Sequence, residues 1–189
     1  MNSQNYFCLQ KNIFEYKNYS LVPIRIQDAE SIRIWRNQQI NVLRQDSPIS
    51  SDQQKMYFKE VIQPLFNQKE PPLLLFSFLE KSDFIGYGGF VHIDWNKKTA
   101  EISFLVETKR SKDSTLYRND FTSFLFLLKR IACDDLKFSK LFTETYDLRP
   151  IHNEVIKNSE FKLENIHKGG KIIDGKSVDI LSHSYICKN

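Results

Sequence analysis

The run from Phe84 to Lys112, FIGYGGFVHIDWNKKTAEISFLVETKRSK, decides how the rest of the chain is read. Phe84–Ile93 and Ala100–Val106 are rich in β-branched and aromatic residues, and the polar stretch Asp94–Thr99 divides them. Two such runs around a short polar break predict an antiparallel hairpin. A basic loop, Lys109-Arg110-Ser111-Lys112, follows the second strand and leads into a strongly apolar helix. A cationic loop feeding a helix N-terminus suits a phosphate or pyrophosphate, because unpaired amides and the helix dipole both favour an anion there. The same loop also reads as a solvated basic turn, since charge runs usually face water.

Towards the N-terminus, Tyr19–Ile26 reads as a strand, with Pro23 marking an edge or end position. Asp28 stands where a helix N-cap belongs, ahead of Ile32 and Trp35 at helical spacing, which predicts a helix over Ala29–Gln38. A second helix is expected from Asp52, with Met56, Tyr57 and Val61 as its apolar face and Pro64 ending it. Pro71-Pro72 then precede a buried strand, Leu73–Leu79. Towards the C-terminus, Arg118–Asp135 places Phe121, Phe124, Leu125, Leu128, Ile131 and Ala132 on one helical face. Lys140–Tyr146 alternates as a strand, and Pro150 suits the first position of a short helix, Ile151–Asn158. Phe161–Ile166 and Val178–Ile186 read as closing strands, with Gly169-Gly170 and Asp174-Gly175 as turns. The order β-α-α-β-β-β-α-β-α-β-β predicts a mixed α/β (α+β) architecture with long antiparallel runs. Residues 1–18 are expected to form an arm or extra strand, and residues 19–189 a single domain.

The length, 189 residues, is that of one domain with a full-sized core. With 41% hydrophobic and 26% charged residues the composition is that of an ordinary soluble globular protein. A net charge of +4 without a dense basic tract fits an anionic small ligand and provides no platform for nucleic acid. Cys8, Cys133 and Cys187 are scattered and form no CxxC pair, which predicts reduced thiols in a cytoplasmic setting and no structural zinc. His92, His167 and His183 lack metal-ligand spacing, so no metal is assigned. No apolar run reaches the length of a signal peptide core or a membrane span, so no membrane partner is expected.

Three local patterns, taken together, resemble the GNAT family of CoA-dependent N-acyltransferases over roughly Tyr19–Ile186. Asp28-Ala-Glu-Ser-Ile-Arg-Ile-Trp-Arg-Asn37 is similar to the first-helix pattern of the branch that acetylates ribosomal protein termini and nucleotide-linked amino sugars. The same branch has a hairpin resembling Phe84–Phe90 followed by Ile93-Asp94 and Ala100–Phe104, and a closing strand pair resembling Ile173–Asp179. The resemblance implies a mostly antiparallel sheet with a central splayed strand pair and about four flanking helices. It implies acetyl-CoA as co-substrate and a small-molecule amine as acceptor, a nucleotide-linked amino sugar above all, with a homodimer allowed. Two departures stand out. The family's pyrophosphate loop carries glycines, whereas Arg110-Ser-Lys-Asp-Ser-Thr115 has none, and the family's acid tyrosine aligns with Ile156. Glycine lets backbone amides approach a phosphate closely. A GNAT-shaped binding module and a protein N-terminal acetyltransferase therefore stand as alternatives.

By the same resemblance, the backbone of Phe104, Leu105 and Val106 receives the pantetheine arm, and the N–H near Val106 faces the developing oxyanion. One such donor is worth ~3 kcal/mol of barrier. Lys109, Arg110, Lys112 and Ser114 are the candidates for the pyrophosphate. Glu101 aligns with the family's base, and a half-buried carboxylate has the raised pKa that suits one. Tyr146 and His152 are the candidate acids, though each also fits a packing role. Arg36 and Asn37, at the end of the first helix, and Tyr87, between glycines, are the candidates for acceptor binding; Arg36 reads equally as a helix C-terminal cation.

Overall fold

The computed structural model describes residues 4–188. Eight strands form its sheet: β1 (Phe14–Tyr16), β2 (Tyr19–Pro23), β3 (Leu74–Glu80), β4 (Asp83–Asp94), β5 (Thr99–Val106), β6 (Lys140–Tyr146), β7 (Lys162–Ile173) and β8 (Lys176–Ile186). Their spatial order is β1-β2-β3-β4-β5-β6-β8-β7. All neighbours run antiparallel except β5 and β6, which pair in parallel and only over Thr99–Glu101 and Lys140–Phe142. Beyond Glu101 the two strands part. This is the splayed pair that the resemblance implies, and it opens the middle of the sheet.

The hairpin forms as expected, with Tyr87 opposite Leu105 and Gly88 opposite Phe104. Gly88 has no room for a side chain: a Cβ there would run into the Ser103 carbonyl and stand 2.9 Å from the Phe124 ring. That close approach lets the long helix α5 (Ser114–Arg130) lie on the sheet. Phe121, Phe124, Leu125 and Leu128 of α5 are buried there, and Phe104 stacks on Phe121 at 4.6 Å. On this scale each buried apolar side chain stabilises the fold by ~1.5–3 kcal/mol.

Helix α1 (Ala29–Gln38) has the expected bounds. Asp28, however, makes no cap hydrogen bond. Its carboxylate accepts from Arg25 and from the Ser77 hydroxyl, tying the helix start to β3. Helix α2 (Ser51–Tyr57) starts with a capping box between Ser50 and Gln53, then continues through a π turn (Phe58–Ile62) into the short α3 (Gln63–Leu65). Its buried face is Gln54, Phe58, Ile62 and Leu65, whereas Met56, Tyr57 and Val61 are exposed. Both stripes are apolar at helical spacing, so spacing alone did not choose between them.

The basic loop is a helical turn, α4 (Thr108–Lys112), because no glycine or proline interrupts it. Helix α5 therefore starts earlier than predicted and ends in a second π turn (Ile131–Asp135). Helix α6 (Pro150–Asn158) begins on Pro150. Gly169-Gly170 is a bulge within β7 rather than a turn; Asp174-Gly175, both at positive φ, make the tight turn to β8. Residues 1–3 of the expected arm lie outside the described residues; from residue 4 on it packs on the domain and adds β1, with Tyr6 buried and its hydroxyl bonded to both backbone groups of Leu75.

The cysteines correct the expectation of reduced thiols. Cys133, in the turn after α5, forms a disulfide with Cys187, just beyond β8. Phe138 N–H bonds the Ala132 carbonyl and Cys187 N–H bonds the Ser139 carbonyl, so the fold itself brings the two together. Cys8 remains a free thiol. No helix among the described residues is long and apolar enough to cross a membrane.

Candidate active site

The splay sets the geometry of the site. The Glu107 N–H bonds Ile85 of β4, so by strand alternation Leu105 and Ser103 also turn their backbone groups to β4. Ile102, Phe104 and Val106 turn theirs to the gap. The Val106 carbonyl is taken by the Gln39 side chain, which leaves the Val106 N–H facing the opening. Across the gap, the buried hydroxyls of Thr143 and Thr145 have no hydrogen-bond partner among the described residues. Buried polar groups without partners are rare in folded proteins. A cleft of about 190 Å3 lies here, lined by Glu101–Phe104 on one side and Thr143–Tyr146 on the other. The Leu105 backbone, paired to Tyr87, does not reach it.

A second cavity, of about 430 Å3, sits between α1, α2 and the sheet and is lined by Ile24, Ile32, Ile49, Tyr57, Phe58 and Tyr87 among others. Arg36, Val91 and Ser103 line both spaces, so the cavity and the cleft share a wall. Glu101 lies two residues before Ser103, on the same face of β5 and beside that junction. Only 3% of Glu101 is exposed. Burial pushes its carboxyl above the usual range; Arg44 and His92, the latter 3.7 Å away, pull it part of the way back.

Arg36 reaches Tyr87 through a 2.8 Å bond from Nη1 and Gln45 through a 2.8 Å bond from Nε. Both partners are neutral, so no acid among the described residues neutralises this cation. Asn37 does not line the cavity. Its amide bonds the Ile49 backbone twice, at 2.8 Å each, and so clasps the loop that follows α1.

His152, in the first turn of α6, lines the cleft and stacks on Phe121 at 4.3 Å. Its Nδ1 lies 2.6 Å from the Tyr117 hydroxyl, which itself receives a 3.4 Å contact from Arg149. Burial holds His152 well below the usual imidazole range and raises the Tyr117 hydroxyl to about 12. The tyrosine thus keeps its proton, and where it donates that hydrogen bond to Nδ1 the neutral imidazole carries its own proton on Nε2. A neutral imidazole of this kind is a hydrogen-bond donor rather than a strong acid. Tyr146 ends β6 on the cleft wall.

The phosphate end is built differently from the rest. Arg110 is held by a bidentate pair to the fully buried Asp120, with both bonds at 2.7 Å, and also meets Glu80 at 3.1 Å. Its charge therefore joins α4 to α5 and the sheet. Asp113 caps α5, accepting from the Thr115 and Leu116 amides. The helix-start amides that would meet a pyrophosphate are thus occupied by an internal carboxylate. Lys109, Lys112 and Ser114 remain exposed. The orphan hydroxyls and open strand edge fit a pantetheine arm well; the candidate phosphate end offers two lysines, with the start of α5 taken by Asp113 and the start of α4 carrying no side-chain cap.

Sequence reasoning missed Arg44, Thr143, Tyr117 and Asp113. Arg44 lies in an irregular segment without periodicity, and the unpartnered state of Thr143 exists only in three dimensions. Asp113 is a residue type that caps helices, but the helix was expected only from Arg118 and in fact starts at Ser114.

The family described as "Acetyltransferase (GNAT) domain" matches residues 21–181. No curated protein sequence matches the chain. Among solved structures, the RimL ribosomal L7/L12 alpha-N-protein acetyltransferase in complex with coenzyme A is 13% identical, with a TM-score of 0.71 over 93% of this chain and 98% of that one. The spermidine N-acetyltransferase from Vibrio cholerae in complex with CoA and spermine is 14% identical, with a TM-score of 0.74 over 89% and 95%. At these identities the likeness is one of fold.

Proposed function

The chain belongs to the GNAT acetyltransferase family, and from that membership we propose that it moves an acetyl group from acetyl-CoA to a primary amine of a small acceptor, an amino sugar linked to a nucleotide. The observation that carries the reading is the position of Glu101. It is a buried carboxylate with a raised pKa, standing where the splayed cleft meets the larger cavity. The donor's pantetheine arm lies along the open edge of β5 and bonds the Thr143 and Thr145 hydroxyls. The acceptor fills the 430 Å3 cavity, where the uncompensated Arg36 pairs with its phosphate.

Glu101 takes the ammonium proton, the amine nitrogen attacks the thioester carbon, and the Val106 N–H faces the oxyanion. Collapse breaks the C–S bond, and the proton still in excess on nitrogen passes to the departing sulfur, which leaves amide and thiol. The His152 Nε2–H hydrogen-bonds the departing thiolate. Lys109 and Lys112 hold the donor's phosphates from the surface of α4. Two proteins of this fold were solved in complex with CoA, which is consistent with this donor.

The test is calorimetric titration with acetyl-CoA, followed by transfer assays on a sugar amine with and without its phosphate. The reading expects acetyl-CoA to bind, with weaker binding in a Lys109→Ala/Lys112→Ala variant. It expects Arg36→Ala to raise KM about tenfold or more for the phosphorylated acceptor alone, the scale of a lost charge-assisted hydrogen bond. No donor binding at millimolar concentration rejects the enzyme. An unchanged phosphate preference in Arg36→Ala rejects the acceptor class.

A further inference from the structure

The segment Gln39–Ser50, between α1 and α2, crosses the mouth of the cleft. Its root is clasped by Asn37 and by Arg33, which donates to the Ile49 carbonyl at 3.2 Å. Its middle packs Leu43 on the core and ties Gln45 to Arg36 and Asn37, and it meets the β7–β8 hairpin through exposed side-chain contacts: Asn41 to Asp174 at 3.3 Å and Lys171 to Asp46 at 3.3 Å. Contacts of this kind contribute little in water. From the middle of this strap, Arg44 reaches into the cleft. One of its terminal nitrogens bonds Glu101 on β5, and the other lies 3.5 Å from Glu144 on β6.

Two carboxylates, one from each splayed strand, therefore converge on a single cation. In the reaction above, the group that must stand beside Glu101 is also a cation, the protonated amine of the acceptor. An ammonium has three donors, enough for both carboxylates. Glu101 cannot receive a proton from the amine while the guanidinium lies between them. Resting on that reading of the reaction, we propose that Glu101 and Glu144 form the subsite for the acceptor's ammonium group, and that Arg44 occupies this subsite until the acceptor displaces it. Exchange keeps the buried Glu101 paired throughout, so the swap avoids leaving a lone buried charge. The freed Arg44 adds a second cation beside Arg36 on the side where the acceptor's phosphate lies.

Chemical rescue tests this without any need for turnover. Arg44→Ala leaves the subsite empty, and methylammonium or methylguanidinium at tens of millimolar serve as probes. A ligand that binds the folded state raises its unfolding midpoint. The proposal expects either cation to raise the midpoint of Arg44→Ala by about 2–4 °C more than that of the wild type, with methanol without effect. Adding Glu144→Gln to that variant must reduce the rescue, and adding Glu101→Gln must abolish it. Should Arg44→Ala fail to fold, Arg44→Gln replaces it. Equal shifts in variant and wild type, or rescue indifferent to both glutamates, overturn the subsite.

A kinetic readout separates this claim from the one it rests on. With any amine the enzyme acetylates, Arg44→Ala must lower KM severalfold, because no internal cation competes. Acetyl transfer with an unchanged KM leaves the enzyme reading standing and removes Arg44 as occupant. Rescue by cations in a protein that transfers no acetyl group supports the cation subsite and removes the enzyme reading.

Discussion

At the scale of single residues, the proposed reaction depends on the charge state of Glu101. Burial raises its pKa, and Arg44 offsets part of the rise; His92 lowers it slightly, and Glu144 raises it. A base must be deprotonated to act, so activity falls as pH falls through this pKa. Removing Arg44 removes the largest lowering influence, so the pKa rises further. The acid limb of kcat/KM in Arg44→Ala is therefore expected at higher pH than in the wild type with the same amine. A limb that stays in place or moves to lower pH contradicts the assignment of that limb to Glu101. The buried strand position of Glu101 was legible from alternation, and the role proposed for it came from the resemblance. Arg44 was not legible, because nothing in its irregular segment says which residue will face a carboxylate 57 positions away.

At the scale of elements, the turn into α5 decides how the phosphate end works. The sequence correctly identified a basic segment leading into a helix, but the absence of glycine there made a helical turn and turned Arg110 inward to Asp120. The Asp113 cap then places a negative charge on amides that would otherwise attract an anion. Replacing it with asparagine keeps a capping oxygen and removes the charge. Charges at a helix terminus are worth ~0.3–1 kcal/mol. Asp113→Asn is accordingly expected to lower the Kd for coenzyme A about 2- to 5-fold with little change in thermal stability. Weaker binding in that variant would show that Asp113 does not oppose the phosphates. The β4–β5 hairpin, by contrast, was readable almost residue by residue, because alternation and the short polar break Asp94–Thr99 leave one register that buries Phe90, Ile102 and Phe104 together. The α2 face was not readable, since two adjacent apolar stripes compete and only packing against the sheet selects Phe58 and Ile62.

At the scale of the molecule, the order of elements carried the mixed, largely antiparallel sheet, whereas the splay between β5 and β6 came from the resemblance and their parallel contact was not read from the sequence. The pairing of Cys133 with Cys187 was beyond the sequence because it joins residues 54 apart through three-dimensional proximity alone. Closing a loop of this length stabilises by at most ~4 kcal/mol in the chain-entropy account. Reduction is expected to lower the unfolding midpoint by up to about 10 °C. A Cys133→Ser/Cys187→Ser variant should unfold at the lower temperature whether or not reductant is present. Cys8 does not confuse the comparison, because burial pushes its thiol up to about 11 and leaves little thiolate to exchange. A midpoint indifferent to reductant in the wild type would mean that the bridge contributes nothing to stability.

The measurement that bears most directly on the whole account is thiol release from acetyl-CoA at saturating amine, comparing the wild type with Glu101→Gln, with donor affinity measured on both proteins. The account predicts a fall in kcat of about 100-fold or more, the scale of a lost general base, with the Kd for acetyl-CoA unchanged. A Glu101→Gln enzyme that keeps its kcat within a few-fold would contradict the claim that acetyl transfer is driven from the junction where β5 and β6 part.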